Sequence, residues 1–165
     1  MKIRYISSTY VLQGFPDNDI ADEVVNYAID KAQGLHIHQA LGSSLYTDIK
    51  AKVSGSTLTA STDVTLMEEY IQPCLRDYAL YELITVNSFK LSRAGLMKSA
   101  NENFTSVSLE EMKHLKTNVR DSAEFYQERL KYYLDCNSSL FPAYNTGTQD
   151  IYPSERGGSY FFGIS

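Results

Sequence analysis

The chain has 165 residues, a formal charge of −5 and two cysteines. That length favours one domain with an ordinary core. The acidic balance argues against a module that grips nucleic acid through clustered Lys and Arg, and two cysteines do not make a disulfide framework. No run approaches the roughly 18 consecutive apolar residues of a membrane span. Nothing reads as a signal peptide either, because Ser7, Ser8, Thr9 and Gln13 interrupt any apolar stretch behind Lys2 and Arg4. Synthesis in a reducing cytoplasm is expected.

Residues 1–16 read as an irregular or short extended arm, with Ile3, Tyr5, Val11 and Leu12 as apolar contacts and no helical period. Asp17, Asn18 and Asp19 after Pro16 are N-cap residues, so a first helix is expected to begin there. Ile20, Val24, Tyr27, Ala28 and Ala32 recur along it at helical spacing. Gly34 interrupts this run, and Gly42 is the expected C-terminal stop. Ser43 and Ser44 can cap a short helix carrying Leu45, Tyr46 and Ile49, and 53–62, rich in Ser, Thr and Gly, reads as a loop.

A second helix is expected from about Asp63. Its apolar residues come in adjacent pairs every four residues: Leu66 and Met67, Tyr70 and Ile71, Cys74 and Leu75, Tyr78 and Ala79, then Leu83. They form a wide stripe. Pro73 lies inside it and costs about 3 kcal/mol. Burial of several stripe residues, at roughly 1.5–3 kcal/mol each, outweighs that cost, so one kinked helix is expected. Residues 92–107, with Gly95, Asn101 and Asn103, read as a loop or a loose hairpin. Ser108 and Glu111 form a capping box for a third helix. Along it Met112, Val119, Tyr126 and Tyr133 recur every seven residues, with Leu109, Ala123 and Leu130 beside them. Arg120 with Glu124 and Lys131 with Asp135 can pair on its solvent side, and it is expected to end near Asn137.

The fold class is therefore mainly α. It comprises a small helical bundle with an irregular N-terminal arm, a mid-chain loop or hairpin and an extended C-terminal tail. The helical domain takes residues 1–144 and the tail 145–165. The tail carries Gly147, Pro153, Gly157, Gly158 and Gly163 with Tyr152, Tyr160, Phe161 and Phe162 among them. Extended, it reaches about 70 Å, well beyond a globule whose radius of gyration is about 14–15 Å. Aromatic residues are uncommon in purely disordered tails, so these four are the candidate partner-binding anchors.

No catalytic, cofactor or metal site is expected. His36 and His38 are two apart, which on a helix points them to different sides, and no second metal motif accompanies them. There is no Gly-rich phosphate loop followed by Lys; Gly157-Gly158 after Arg156 lacks a strand–helix setting. Gly42-Ser43-Ser44 lacks the second Gly of a nucleophile elbow. Glu68-Glu69 and Glu110-Glu111 read as solvated, dipole-favoured carboxylates. Cys74 and Cys136 both fall in apolar helical contexts and read as free buried thiols.

Three ordered segments carry a resemblance. The first is Ala32-Gln33 leading to Leu41-Gly42-Ser43-Ser44-Leu45-Tyr46. The second is Leu66–Leu83 with Tyr70-Ile71-Gln72-Pro73 and Leu75 at its centre. The third is Ala123-Glu124-Phe125-Tyr126 running to Tyr133-Leu134, Asn137 and Phe141-Pro142-Ala143-Tyr144. In order and spacing these resemble the head–tail connector (adaptor) proteins of tailed bacteriophages, crAss-like and related Bacteroidetes phages in particular, over about Ile20 to Tyr144. The resemblance implies a virion protein and not an enzyme. It implies a helical subunit of a ring of about twelve copies closed by cyclic symmetry. That ring sits in the neck under the portal protein, contacts adjacent neck or tail proteins, and extends the DNA channel without sequence-specific binding. It also implies that the C-terminal segment, with Tyr152, Tyr160, Phe161 and Phe162, reaches the portal or an adjacent ring. The resemblance assigns no channel-lining face. The alternatives are a lower neck ring (stopper or tail terminator), a non-viral helical binding or regulatory protein, and an enzyme with a dispersed site.

Overall fold

The computed structural model describes residues 2–13, 20–87, 89–92, 95–98 and 109–145. The fold is mainly α. Its elements are α1 (Ser8–Val11), α2 (Asp22–Ala32), α3 (His38–Ser54), α4 (Ser61–Thr65), α5 (Gln72–Asn87), β1 (Phe89–Ser92), β2 (Gly95–Lys98), α6 (Leu109–Cys136) and α7 (Pro142–Asn145). A π-helical turn, Gln33–Ile37, joins α2 to α3, and another, Leu66–Ile71, joins α4 to α5. α5 is the central helix, packed between α2 and α6.

Over residues 2–13 the N-terminal arm is irregular apart from the single turn α1, which is capped by Ser7 Oγ, accepting from the N–H of the third helical residue, Tyr10, at 3.1 Å. Over the same residues it is also inlaid in the core: Tyr5, Ile6, Val11 and Leu12 are buried. Two glutamine side chains hold it. Gln33 accepts from the Tyr5 N–H at 3.0 Å and donates to the Ile3 carbonyl at 3.0 Å, and Gln72 donates to the Tyr5 carbonyl at 3.1 Å. An arm with too few residues to form its own ladder thus has its backbone polar groups satisfied by amide side chains.

α2 begins at Asp22, later than its cap-rich sequence predicts, with Ala21 in the capping position and no side-chain cap. Residues 17–19 lie outside the described residues. Asp22 and Glu23 occupy the first turn, where the helix dipole favours negative charge. Gly34 sits in the π-turn without ending the helix. Gly42 does break it: at φ 77° and ψ 157° its backbone lies in a region open essentially to glycine alone. The chain turns there and runs on as helix to Ser54.

Pro73 is accommodated inside one continuous helical run from Ser61 to Asn87. The π-turn that precedes it supplies the physical reason. A turn closed i→i+5 frees a carbonyl near the position where the proline ring would clash and where its missing N–H would leave a gap. The same turn explains the four-residue period of the apolar pairs. Such a period drifts around a regular α-helix, and the wider turn takes up part of the drift. Leu66, Met67, Ile71, Cys74, Leu75, Tyr78, Ala79 and Leu83 are all buried.

β1 and β2 form an antiparallel hairpin, with Phe89 opposite Lys98 and Ser92 opposite Gly95. α6 buries Ala123, Leu130 and Leu134, with Tyr126 and Tyr133 packed at the core edge. It ends where the sequence predicts: the Asn137 N–H and side-chain amide both donate to the Tyr133 carbonyl, at 3.0 and 2.8 Å. Ser108 of the expected capping box lies outside the described residues, as does the tail beyond Asn145. Cys74 is buried as expected. Cys136 is not: it is exposed in the last turn of α6, on the side away from Leu130 and Leu134.

Candidate interaction surface

α6 carries two rows of aromatic residues one position apart, Phe125 and Tyr132 beside Tyr126 and Tyr133. An α-helix turns about 100° per residue, so the two rows diverge onto different faces. The second row meets the core. Tyr133 stacks on Tyr70 with ring centroids 4.0 Å apart and leans on Phe141 at 6.0 Å. Among the described residues the first row is left open, with the edge of Tyr126 against Phe125 at 5.6 Å: Phe125 is 63% and Tyr132 73% exposed. Large rings this open on a helix offer apolar area at low conformational cost, the chemistry of a candidate interaction surface.

The exposed row is flanked by charge. Glu128, Lys131 and Asp135 border a shallow groove between Phe125 and Tyr132. Arg129 lies in the same groove with its guanidinium 4.9 Å from the centre of the Tyr70 ring, which holds the cation over an aromatic face. Arg120 pairs with Asp121 at 3.1 Å and with Glu124 at 3.5 Å, the latter the predicted i,i+4 pair. Cys136 lies eleven residues after Phe125 and so extends the row. Upstream, Leu115 is exposed, so the first turns of α6 run past the main core.

Elsewhere among the described residues the polar clusters are mostly paired within the fold, although the buried His36 Nε2 makes no hydrogen bond. Glu82, buried on α5, receives Lys31 of α2 at 2.7 Å and faces His36 Nε2 at 3.5 Å. His36 stacks flat on Tyr78 with centroids 3.8 Å apart, and Tyr78 donates to Gln127 of α6 at 3.0 Å. Burial pulls the His36 pKa below its usual 6.5, and the Glu82 carboxylate only partly offsets that. The Lys31–Glu82 bond holds the lysine pKa above its ordinary value. His38 instead stacks on Tyr46 at 4.3 Å and meets Ser43 Oγ at 3.2 Å. The two histidines therefore serve different contacts, as their two-residue spacing predicts. A second shallow cleft, lined by Tyr5, Lys52, Met67 and Gln72 among others, has its one cation tied to Asp48 at 2.8 Å and to Asp63 at 2.9 Å. Among the described residues no group of three or more His, Cys, Asp or Glu side chains is placed to hold a metal, and no helix is long and apolar enough to cross a membrane.

The four anchors predicted from sequence, Tyr152, Tyr160, Phe161 and Phe162, lie outside the described residues. The Phe125–Tyr132 row was not among the predicted anchors, although its signal was present as two adjacent seven-residue aromatic repeats in 125–133. Periodicity identifies both rows; only packing tells which one is left uncovered.

A family model described as a family of unknown function, DUF6712, matches residues 37–153. The chain belongs to the DUF6712 family. The shared segment begins at the last residue of the first π-turn and takes in α3 to α7, including the whole exposed face of α6. No curated protein and no solved structure matches this DUF6712 chain.

Proposed function

We propose that this DUF6712 protein is a structural virion protein, a head–tail connector subunit of a tailed phage. It forms a ring of about twelve copies by cyclic symmetry, joins the portal to the tail in the neck of the virion, and extends the DNA channel. Its work is mechanical and not catalytic. The observation that carries the reading is the open aromatic face of α6. A ring subunit must leave part of its apolar surface unfilled until a neighbour covers it, and Phe125 and Tyr132 are such a surface, rimmed by charge. The resemblance of Ile20 to Tyr144 to phage connectors gives that face its setting. The tail, with Tyr152, Tyr160, Phe161 and Phe162, supplies the contact to the portal or an adjacent ring. A net charge of −5 suits a channel that passes DNA without holding it.

The test is native mass spectrometry of the protein with the portal of its phage. A ring-sized species bound to the portal is expected, and Tyr160→Ala with Phe161→Ala is expected to abolish portal binding while leaving the fold intact. Failure to form any high-order species with the portal would overturn the connector reading. Full portal binding by the double variant would remove the tail from it.

A further inference from the structure

The α6 face has an internal symmetry. From Phe125 to Tyr132 the chain reads aromatic, two residues, acid, base, two residues, aromatic: Phe125, Glu128, Arg129, Tyr132. Reversal of the helix about the midpoint between residues 128 and 129 exchanges Phe125 with Tyr132 and Glu128 with Arg129. All four line one groove on the exposed side of α6. Among the described residues Glu128 has no ion pair, and the Arg129 guanidinium rests on the Tyr70 ring and not on a carboxylate. A surface that is its own complement in charge and in apolar shape fits a second copy of itself across a two-fold axis.

We infer that the free subunit is a two-fold dimer through antiparallel α6 helices, with Phe125 packed against the partner copy's Tyr132 residue and Glu128 paired with its Arg129 residue. This rests on the reading of the α6 face as the assembly surface and names its occupant before assembly. Neighbours in a cyclic ring are not related by a two-fold axis, so the dimer belongs to the free protein and gives way when the ring forms. The contact runs from Asp121 to Cys136, sixteen residues or about 24 Å of helix. One helix pair of that length buries less than the roughly 1,200–2,000 Å² of a stable interface, so the dimer is weak and concentration-dependent.

Cys136 is a built-in reporter, because it is exposed while Cys74 is buried. In the proposed pairing Cys136 faces position 121 of the other copy, and the two Cys136 residues lie about 22 Å apart, fifteen residues along the helix. The experiment is analytical ultracentrifugation of the full chain across a concentration series, with cross-linking by a short bis-maleimide. Wild type is expected to show a concentration-dependent species of twice the 18.6 kDa chain mass and no covalent dimer, whereas Asp121→Cys gives a covalent dimer. Glu128→Arg and Arg129→Glu are each expected to weaken association about tenfold, because each reversal sets like charges together twice across the axis, and the double reversal restores it. Circular dichroism checks that each variant is folded. A wild-type protein that stays monomeric throughout, an Asp121→Cys variant with no covalent dimer, or a double reversal without rescue would each overturn the inference. A monomer that still forms rings on the portal sinks only the dimer; a dimer that ignores the portal sinks only the connector reading.

Discussion

Two glycine-to-alanine substitutions in the same helical run are expected to act in opposite directions. Gly42 is buried at φ 77° and ψ 157°. Alanine there forces an L side chain into a region open essentially to glycine and adds a methyl group to a packed site, for a combined loss of about 2–4 kcal/mol. Against a total stability of about 5–15 kcal/mol, that is a large fraction. At about 2–4 °C per kcal/mol for a chain of this size, Tm falls by about 5–15 °C. Gly34 is exposed in helical backbone with nothing within 4 Å of the methyl group that alanine would add. Alanine there restricts the unfolded chain without touching the folded one and adds about 0.4–1 kcal/mol. Urea unfolding followed by far-UV circular dichroism, at one low protein concentration so that association does not enter, measures both. Gly42→Ala within about 0.5 kcal/mol of wild type, the scatter of ordinary surface substitutions, would refute the reasoning. So would a Gly34→Ala variant that loses as much as Gly42→Ala.

Gln33→Ala removes the acceptor of the Tyr5 N–H and the donor to the Ile3 carbonyl. It should cost roughly 2–4 kcal/mol, because buried backbone groups are left unpaired, and Tyr5 amide exchange should accelerate before that of α5. The folded-state pKa values of His36 and His38 are both held below 6.5, chiefly by burial. The unfolded chain therefore binds protons first, so their contribution to stability is present above pH 6.5 and is lost as pH falls through the folded values. Urea midpoints measured across that range should drop on acidification, and less so in His36→Gln. Thiol labelling of the native protein should modify Cys136 alone. Cys74 is buried with its pKa pushed up to about 12, and it should react only in denaturant.

Much of the fold follows from the chain's own pattern. The seven-residue repeat of α6, its stop at Asn137 and the break at Gly42 are local matters of period and backbone freedom, which act over a few residues. The continuity of the second helix through Pro73 was legible because its apolar stripe announced burial enough to outweigh the local cost. What tertiary structure decided is of another kind. The arm reads as loose because it has no period, yet Gln33 and Gln72, far along the sequence, pin it into the core. Cys136 sits in an apolar context by sequence and in solvent by structure, because among the described residues no helix covers its side of α6. Phe125 and Tyr126 are nearly the same residue by composition, one step apart; Tyr126 reaches the core edge and Phe125 faces outward, because α5 and Phe141 approach α6 from one side only. Periodicity fixes which side chains share a face. Which face is covered depends on where the other helices stand, and that is a property of the assembled whole.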